Sequence, residues 1–153
     1  MNINKVFNGF RMWALVTGAA SGMGRIYARR LALMGYNLVL VDINQKGLEQ
    51  TETIVRTAVS ASGTIADDQK KKFRILSLVQ DLSVKEAADM IHAKTEETGC
   101  EIEVLVNNAG IMYCQAIHAT SERALSLIMM VHMYTPMMLC RKYVGAMRER
   151  GRG

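Results

Sequence analysis

Apolar positions in this chain follow two rhythms that alternate four times. Residues 13–17 (WALVT) form a short run that stops at Gly18, and residues 37–41 (NLVLV) form a second that ends at Asp42. A third run, 73–79, ends at Gln80 and Asp81, and a fourth, 103–106, ends at Asn107 and Asn108. Short runs without polar alternation predict strands buried on both faces.

Between the runs the spacing turns helical. Ile26, Ala28, Leu31, Ala32 and Met34 recur on one side until Gly35, a natural helix stop. From Asn44, a fitting N-cap, to about Ser60, the apolar side carries Leu48, Ile54, Val55 and Val59. Ser83 with Glu86 reads as a capping box for a helix to about Glu97, and Thr120 or Ser121 caps a long helix towards Arg150. Residues 61–72 (ASGTIADDQKKK) are polar and read as a surface loop. Strands and helices in alternation predict an α/β fold, a doubly wound parallel sheet covered on both faces. Without internal repeats, 153 residues make a single domain, 1–153.

Composition then removes several function classes. Half the residues are apolar and 22% are charged, which is the balance of a globular protein. The net charge of +5 is dispersed, with only Lys70, Lys71 and Lys72 in a run, so nucleic acid is not an expected partner. Cys100, Cys114 and Cys140 form no CxxC pair, which fits buried thiols in a reducing, cytoplasmic compartment. The chain opens on MNINKVFNGFRMW, with no apolar run long enough for a signal peptide. Residues 124–140 are uncharged but include Ser126, His132 and Pro136; the expectation is a helix buried on most faces and no membrane partner. His92, His118 and His132 lack acidic or thiol partners at ligand spacing, so no metal is expected. Met129, Met130, Met133, Met137 and Met138 read as core or interface packing.

Candidate chemistry concentrates at the first strand–helix turn, Thr17-Gly18-Ala19-Ala20-Ser21-Gly22-Met23-Gly24. Glycines there permit positive φ and let the backbone approach a pyrophosphate closely. The helix that follows offers free N–H groups and a positive dipole end to phosphates. Asp42 closes the second strand twenty residues after Gly22, where a carboxylate accepts hydrogen bonds from ribose hydroxyls and repels a 2′-phosphate.

The pattern TGAASGMG, with three residues between its first two glycines, resembles the short-chain dehydrogenase/reductase family. Asp81-Leu82, the run Asn107-Asn108-Ala109-Gly110 and the helix through His132 and Arg141 follow that family in order, over about residues 12–150. The resemblance implies a Rossmann-like sheet of about four strands in the order 3-2-1-4. It implies cofactor contacts from Gly18, Ser21, Gly22, Met23 and Gly24 at the pyrophosphate, and from Asp42 and Ile43 at the adenosine ribose. Asp81 and Leu82 would meet the adenine, and Asn108, Ala109 and Gly110 the remaining ribose. With Asp42 present, and Ser21 where NADP-using members often carry a basic residue, NAD is expected ahead of NADP; Arg25 nearby would soften that preference.

The same resemblance marks what is not found in the chain. The family's proton-transferring tyrosine is followed four residues later by lysine, yet none of Tyr27, Tyr36, Tyr113, Tyr134 and Tyr143 is. The sequence stops at Gly153, before the place of the family's serine, so no catalytic residue is expected and the chain reads as the cofactor-binding half of an oxidoreductase. That parent enzyme would move a hydride between nicotinamide and an alcohol or carbonyl carbon of a small substrate. The alternatives are a dinucleotide-binding or interaction module without turnover, and a remnant without a ligand. His132 stands where the family has an asparagine. The fourth strand would present an open edge beside an apolar last helix, which predicts a homo-oligomer.

Overall fold

The computed structural model describes residues 9–153; residues 1–8, which hold most of the opening segment expected to lack a signal peptide, lie outside the described residues. Four parallel strands, β1 (Trp13–Thr17), β2 (Asn37–Asp42), β3 (Ile75–Val79) and β4 (Ile102–Val106), form one sheet in the order β3-β2-β1-β4. Helices α1 (Gly22–Leu33), α2 (Gln45–Ser60), α4 (Ala87–Glu97), α5 (Glu122–Met129) and α6 (Thr135–Glu149) surround it, with a four-residue α3 (Asp67–Lys70) inside the expected loop. The doubly wound expectation and its strand order are both observed.

Side chains of β1 and β2 alternate between two apolar layers, as a pleated strand requires. Ala14, Val16, Leu38 and Leu40 pack with Ala28 and Ala32 of α1 and Leu48, Val55 and Val59 of α2. Trp13, Leu15, Val39 and Val41 point the other way, onto Ala88 and Ile91 of α4 and Leu139 and Tyr143 of α6. Both layers are fully buried along these two strands, which is why their sequence carries no polar alternation. Thr17 and Asn37 are the buried polar exceptions, and Asn37 lies at the start of β2. Its Nδ2 donates to the Phe10 carbonyl at 2.7 Å and its Oδ1 accepts the Arg74 N–H at 2.7 Å, so the buried amide is satisfied.

Several local expectations change. Ile26, Met34 and Ile54 are exposed, because the alanines of α1 and the Leu48, Val55 and Val59 stripe of α2 take the positions nearest the sheet. The capping box does not form. The Ser83 hydroxyl donates instead to Asp81 Oδ1 at 2.7 Å, and α4 begins at Ala87 without a side-chain cap. Ser121, not Thr120, caps α5, accepting the Ala124 N–H at 3.2 Å. The long last helix is interrupted by a π-helical turn, Met130–Tyr134, just before Pro136, which has no N–H for the carbonyl four residues back. Cys114 is exposed, while burial pushes the Cys100 thiol above its ordinary range.

The helix expected to be buried on most faces is not. Met129, Met133 and Met137 are 59%, 54% and 59% exposed and form an apolar stripe across α5 and α6. By length and composition, Glu122–Glu149 is apolar enough to cross a membrane, yet its opposite face packs on the sheet through Leu139 and Tyr143.

Tyr143 also gives the fold a pH signature. Thr95 Oγ1 donates to the His92 carbonyl at 2.8 Å, so the Tyr143 hydroxyl, 2.8 Å away, donates to Thr95. Burial pushes the Tyr143 phenol up from 10.0 to about 12. The folded pKa lies above the unfolded one, so its contribution is complete below pH 10 and is lost as pH rises from 10 through 12. Between pH 10 and 11 the wild type is expected to lose about 1 kcal/mol more unfolding free energy than Tyr143→Phe, read from urea midpoints.

Candidate functional site

The parallel register brings the carboxyl ends of the strands to one edge of the sheet. Thr17 lies beside Val41, Asp42 beside Val79, and Val16 beside Val106. Strand order reverses direction between β1 and β4, and there a crevice opens. The cleft has a volume of about 380 Å³, and Gly18, Asp42, Ile43, Asp81, Leu82, Ala109 and Gly110 line it. These are seven of the twelve residues expected from the sequence. Ser21, Gly22, Met23 and Gly24 form the N-cap and first turn of α1, and Asn108 works from behind the cleft.

The glycines do different things. A Cβ on Gly24 would stand 2.0 Å from the Gly18 carbonyl oxygen, so the first turn of α1 rests directly on the loop. Gly22 has φ +49°, and nothing lies within 4 Å of where its Cβ would be, so its side faces open space. The first N–H groups of a helix have no partner within it, and the Ser21 side chain does not cap them. The start of α1 thus offers donors to an anion at a backbone that can be approached closely.

Thr17 locks this turn to the loop after β4, a role that the sequence did not single out. Its hydroxyl donates to the Val106 carbonyl at 3.3 Å and accepts the N–H groups of Asn108 at 3.0 Å and Ala109 at 3.1 Å. Asn108 Nδ2 returns the contact, donating to the carbonyls of Thr17 at 3.0 Å and Gly18 at 3.3 Å. Five hydrogen bonds therefore tie the two halves of the cleft wall together. A hydroxyl closing an apolar strand was the only sequence signal for it.

Asp42 is oriented by backbone donors: Oδ2 accepts the Ala20 N–H at 3.0 Å and Oδ1 the Asn44 N–H at 2.9 Å. Each oxygen keeps a further lone pair for a hydroxyl. Asn44 also caps α2, accepting the Gly47 N–H at 3.0 Å, as expected. Behind Ala20, the Arg25 guanidinium donates to the Ala20 carbonyl at 2.5 Å, to Thr51 Oγ1 at 2.9 Å and to Gln50 Oε1 at 3.3 Å. Thr51 in turn donates to the Ala19 carbonyl at 2.8 Å. Asp81 holds its own loop, with Oδ1 accepting both the N–H and the hydroxyl of Ser83.

His132 reaches the same loop from the π-helical turn. Its Nε2 lies 3.0 Å from the Ile111 nitrogen and 2.8 Å from the Ile111 oxygen. A Cβ on Gly110 would meet the ring at 2.9 Å, so the imidazole rests against the backbone of the cleft wall. Among the described residues no cluster of acidic, histidine or cysteine side chains fits a metal ion.

Known proteins share this arrangement. The family model for short chain dehydrogenases matches residues 12–153. A very-long-chain 3-oxoacyl-CoA reductase-like protein of Arabidopsis thaliana is 31% identical over 146 residues, covering 92% of this chain and 42% of that protein. A very-long-chain 3-oxoacyl-CoA reductase of Pyrenophora tritici-repentis is 28% identical, covering 92% of this chain and 39% of its own length. Among solved structures, a metagenomic short-chain oxidoreductase in complex with NADP matches with a TM-score of 0.79 at 27% identity, over 97% of this chain and 61% of that one. The chain spans about two fifths of the length of these curated relatives.

Proposed function

Since the chain belongs to the short-chain dehydrogenase family, we propose that it binds a nicotinamide dinucleotide in this cleft and serves an oxidoreductase as its cofactor-binding part. The observation that carries this reading is the clasp of Thr17, Gly18 and Gly24 against Asn108 and Ala109, with Asp42 at the far end. The first turn of α1 (Gly22, Met23 and Gly24, with Ser21 before it) would hold the pyrophosphate. Asp42 and Ile43 would hold the adenosine ribose, Asp81 and Leu82 the adenine, and Asn108, Ala109 and Gly110 the second ribose. A bound nicotinamide supplies the hydride acceptor or donor for an alcohol or carbonyl carbon. The protein residues orient it and keep its phosphates neutralised by N–H groups.

Asp42 makes NAD the preferred form in this reading, although the metagenomic relative holds NADP. A carboxylate fixed by two N–H groups accepts a 2′-hydroxyl and repels a 2′-phosphate. Calorimetric titration with NAD, NADH and NADP tests it. NAD is expected to bind more tightly than NADP, and Asp42→Ala to weaken NAD by about tenfold, the size of a charge-assisted hydrogen bond. A folded sample that binds none of the three refutes the reading.

No tyrosine in the chain has a lysine four residues on, which supports binding without turnover by these residues alone. Self-association through the Met129, Met133 and Met137 stripe belongs to the same proposal, because such a stripe gains by leaving water. Sedimentation is expected to show a concentration-dependent dimer that Met133→Glu returns to monomer. A wild type that stays monomeric at high concentration contradicts it.

A further inference from the structure

Helix α1 carries apolar residues on the side that turns away from the sheet. Gly24, Ala28 and Ala32 face inward and are buried. On the opposite side Met23, Ile26, Tyr27 and Met34, the C-cap residue, are 67%, 59%, 43% and 41% exposed. Counted from Met23 they lie three, four and eleven residues on, which is one side of a helix with 3.6 residues per turn. Arg30, seven residues on, stands within this stripe, and Arg29 flanks it. A surface helix ordinarily gives that side to polar groups.

The stripe is cationic as well as apolar. Both arginines are exposed, and among the described residues neither has a carboxylate within 4.0 Å. The helix itself holds three arginines and no acid. On the neighbouring α2, Glu49 accepts from Gln45 and Glu52 pairs with Arg56, so those acids are engaged elsewhere.

That combination selects the occupant. A second copy docked on the same face by a two-fold axis would bring arginine stripe against arginine stripe, with no acid to answer either. A partner protein anchors in pockets, whereas the outer side of a surface helix is convex. A bilayer with anionic headgroups satisfies both features. Methionine, isoleucine and tyrosine side chains enter the acyl boundary while the arginines reach the phosphates. We propose that the outer face of α1 rests on an anionic lipid surface. This is contact with the surface of a bilayer and not a span of it. The dinucleotide reading uses the backbone at Met23 and this one uses its side chain, so the two are tested separately.

Flotation of the full chain with lipid vesicles tests the proposal. The vesicles are phosphatidylcholine alone or phosphatidylcholine mixed with phosphatidylserine, each at low and high salt. Three double variants accompany the wild type, each first shown to be folded by its urea midpoint: Arg29→Gln with Arg30→Gln, Ile26→Ser with Met34→Ser, and Met129→Ser with Met133→Ser. The last pair alters the uncharged stripe of α5 and α6. Wild type is expected to float with the phosphatidylserine vesicles, less at high salt, and to stay unbound with phosphatidylcholine alone. Each α1 pair should lower binding about tenfold or more, and the α5–α6 pair should float as wild type does. Equal flotation with both vesicle types overturns the proposal, as does a loss confined to the α5–α6 pair. Wild type that floats with neither overturns it too. If the α1 pairs then turn a sedimenting dimer into monomer, the face joins two copies of the chain instead.

Discussion

Replacing Gly24 with alanine is expected to cost the chain about 100-fold or more in dinucleotide affinity. The added Cβ would lie 2.0 Å from the Gly18 carbonyl oxygen, 2.8 Å from its carbon and 2.8 Å from Asn108 Nδ2. Two of those three atoms are backbone, so no rotamer change relieves the clash; α1 must lift off the loop. Overpacking of this kind costs about 1–3 kcal/mol in stability. The larger effect is on binding, because the N–H groups of the first turn and the wall at Ala109 would no longer face one ligand at their present spacing.

Two other glycines separate the causes. Gly145→Ala in α6 meets nothing within 4 Å and should stabilise the helix by about 1 kcal/mol with no loss of affinity. Gly22→Ala also meets nothing, yet it would hold alanine at φ +49°, a strain of about 1 kcal/mol. Titration calorimetry and urea midpoints on the three variants therefore distinguish contact from conformation. If Gly24→Ala binds as tightly as Gly145→Ala, the direct seating of α1 on the loop has no part in holding the ligand.

What the sequence revealed and what it concealed divide along physical lines. The strands β1 and β2 were legible because burial on both faces leaves no freedom for polar residues at 14–16 and 38–41. Asn44 was legible as a cap because its partner, the Gly47 N–H, is three residues away. The Ser83–Glu86 box failed for a reason that spacing does not carry: α4 begins only at Ala87, so Glu86 stands at the N-cap instead of inside the first turn, and Ser83 belongs to the loop that Asp81 holds. The break in the last helix was hidden because its apolar period continues through it. Pro136 marked the place, but the turn that accommodates it, Met130–Tyr134, is a backbone choice.

The candidate site shows the same division. Gly18, Asp42, Asp81 and Gly110 could be placed by their position at strand ends, since a parallel sheet gathers those ends. Thr17 and Thr51 could not, because their partners lie 89 to 92 and 32 residues away in sequence. His132 was visible as a residue out of pattern, but its contact with Ile111 requires the π-helical turn, which the sequence did not announce.

Thr17→Val is expected to lower stability by about 2–4 kcal/mol and to weaken dinucleotide binding with it. Valine matches threonine in shape, so no cavity forms, and the whole effect falls on the hydroxyl. That hydroxyl uses its full capacity: one proton given to the Val106 carbonyl, two lone pairs taken by the N–H groups of Asn108 and Ala109. Thr17 is buried at 2% exposure, so its loss leaves three backbone groups short of a partner at the floor of the cleft. Among the described residues, the hydrogen bonds left between the loop after β4 and the Gly-rich turn would then be those of the Asn108 side chain. Thr17→Ser keeps every one of these bonds and loses a methyl group, for about 1 kcal/mol, so it should bind nearly as the wild type does. Urea midpoints and NAD titrations of both variants decide the matter. Equal losses for valine and serine would mean that Thr17 matters as packing; a loss confined to valine would mean that its hydroxyl holds the two walls of the cleft together.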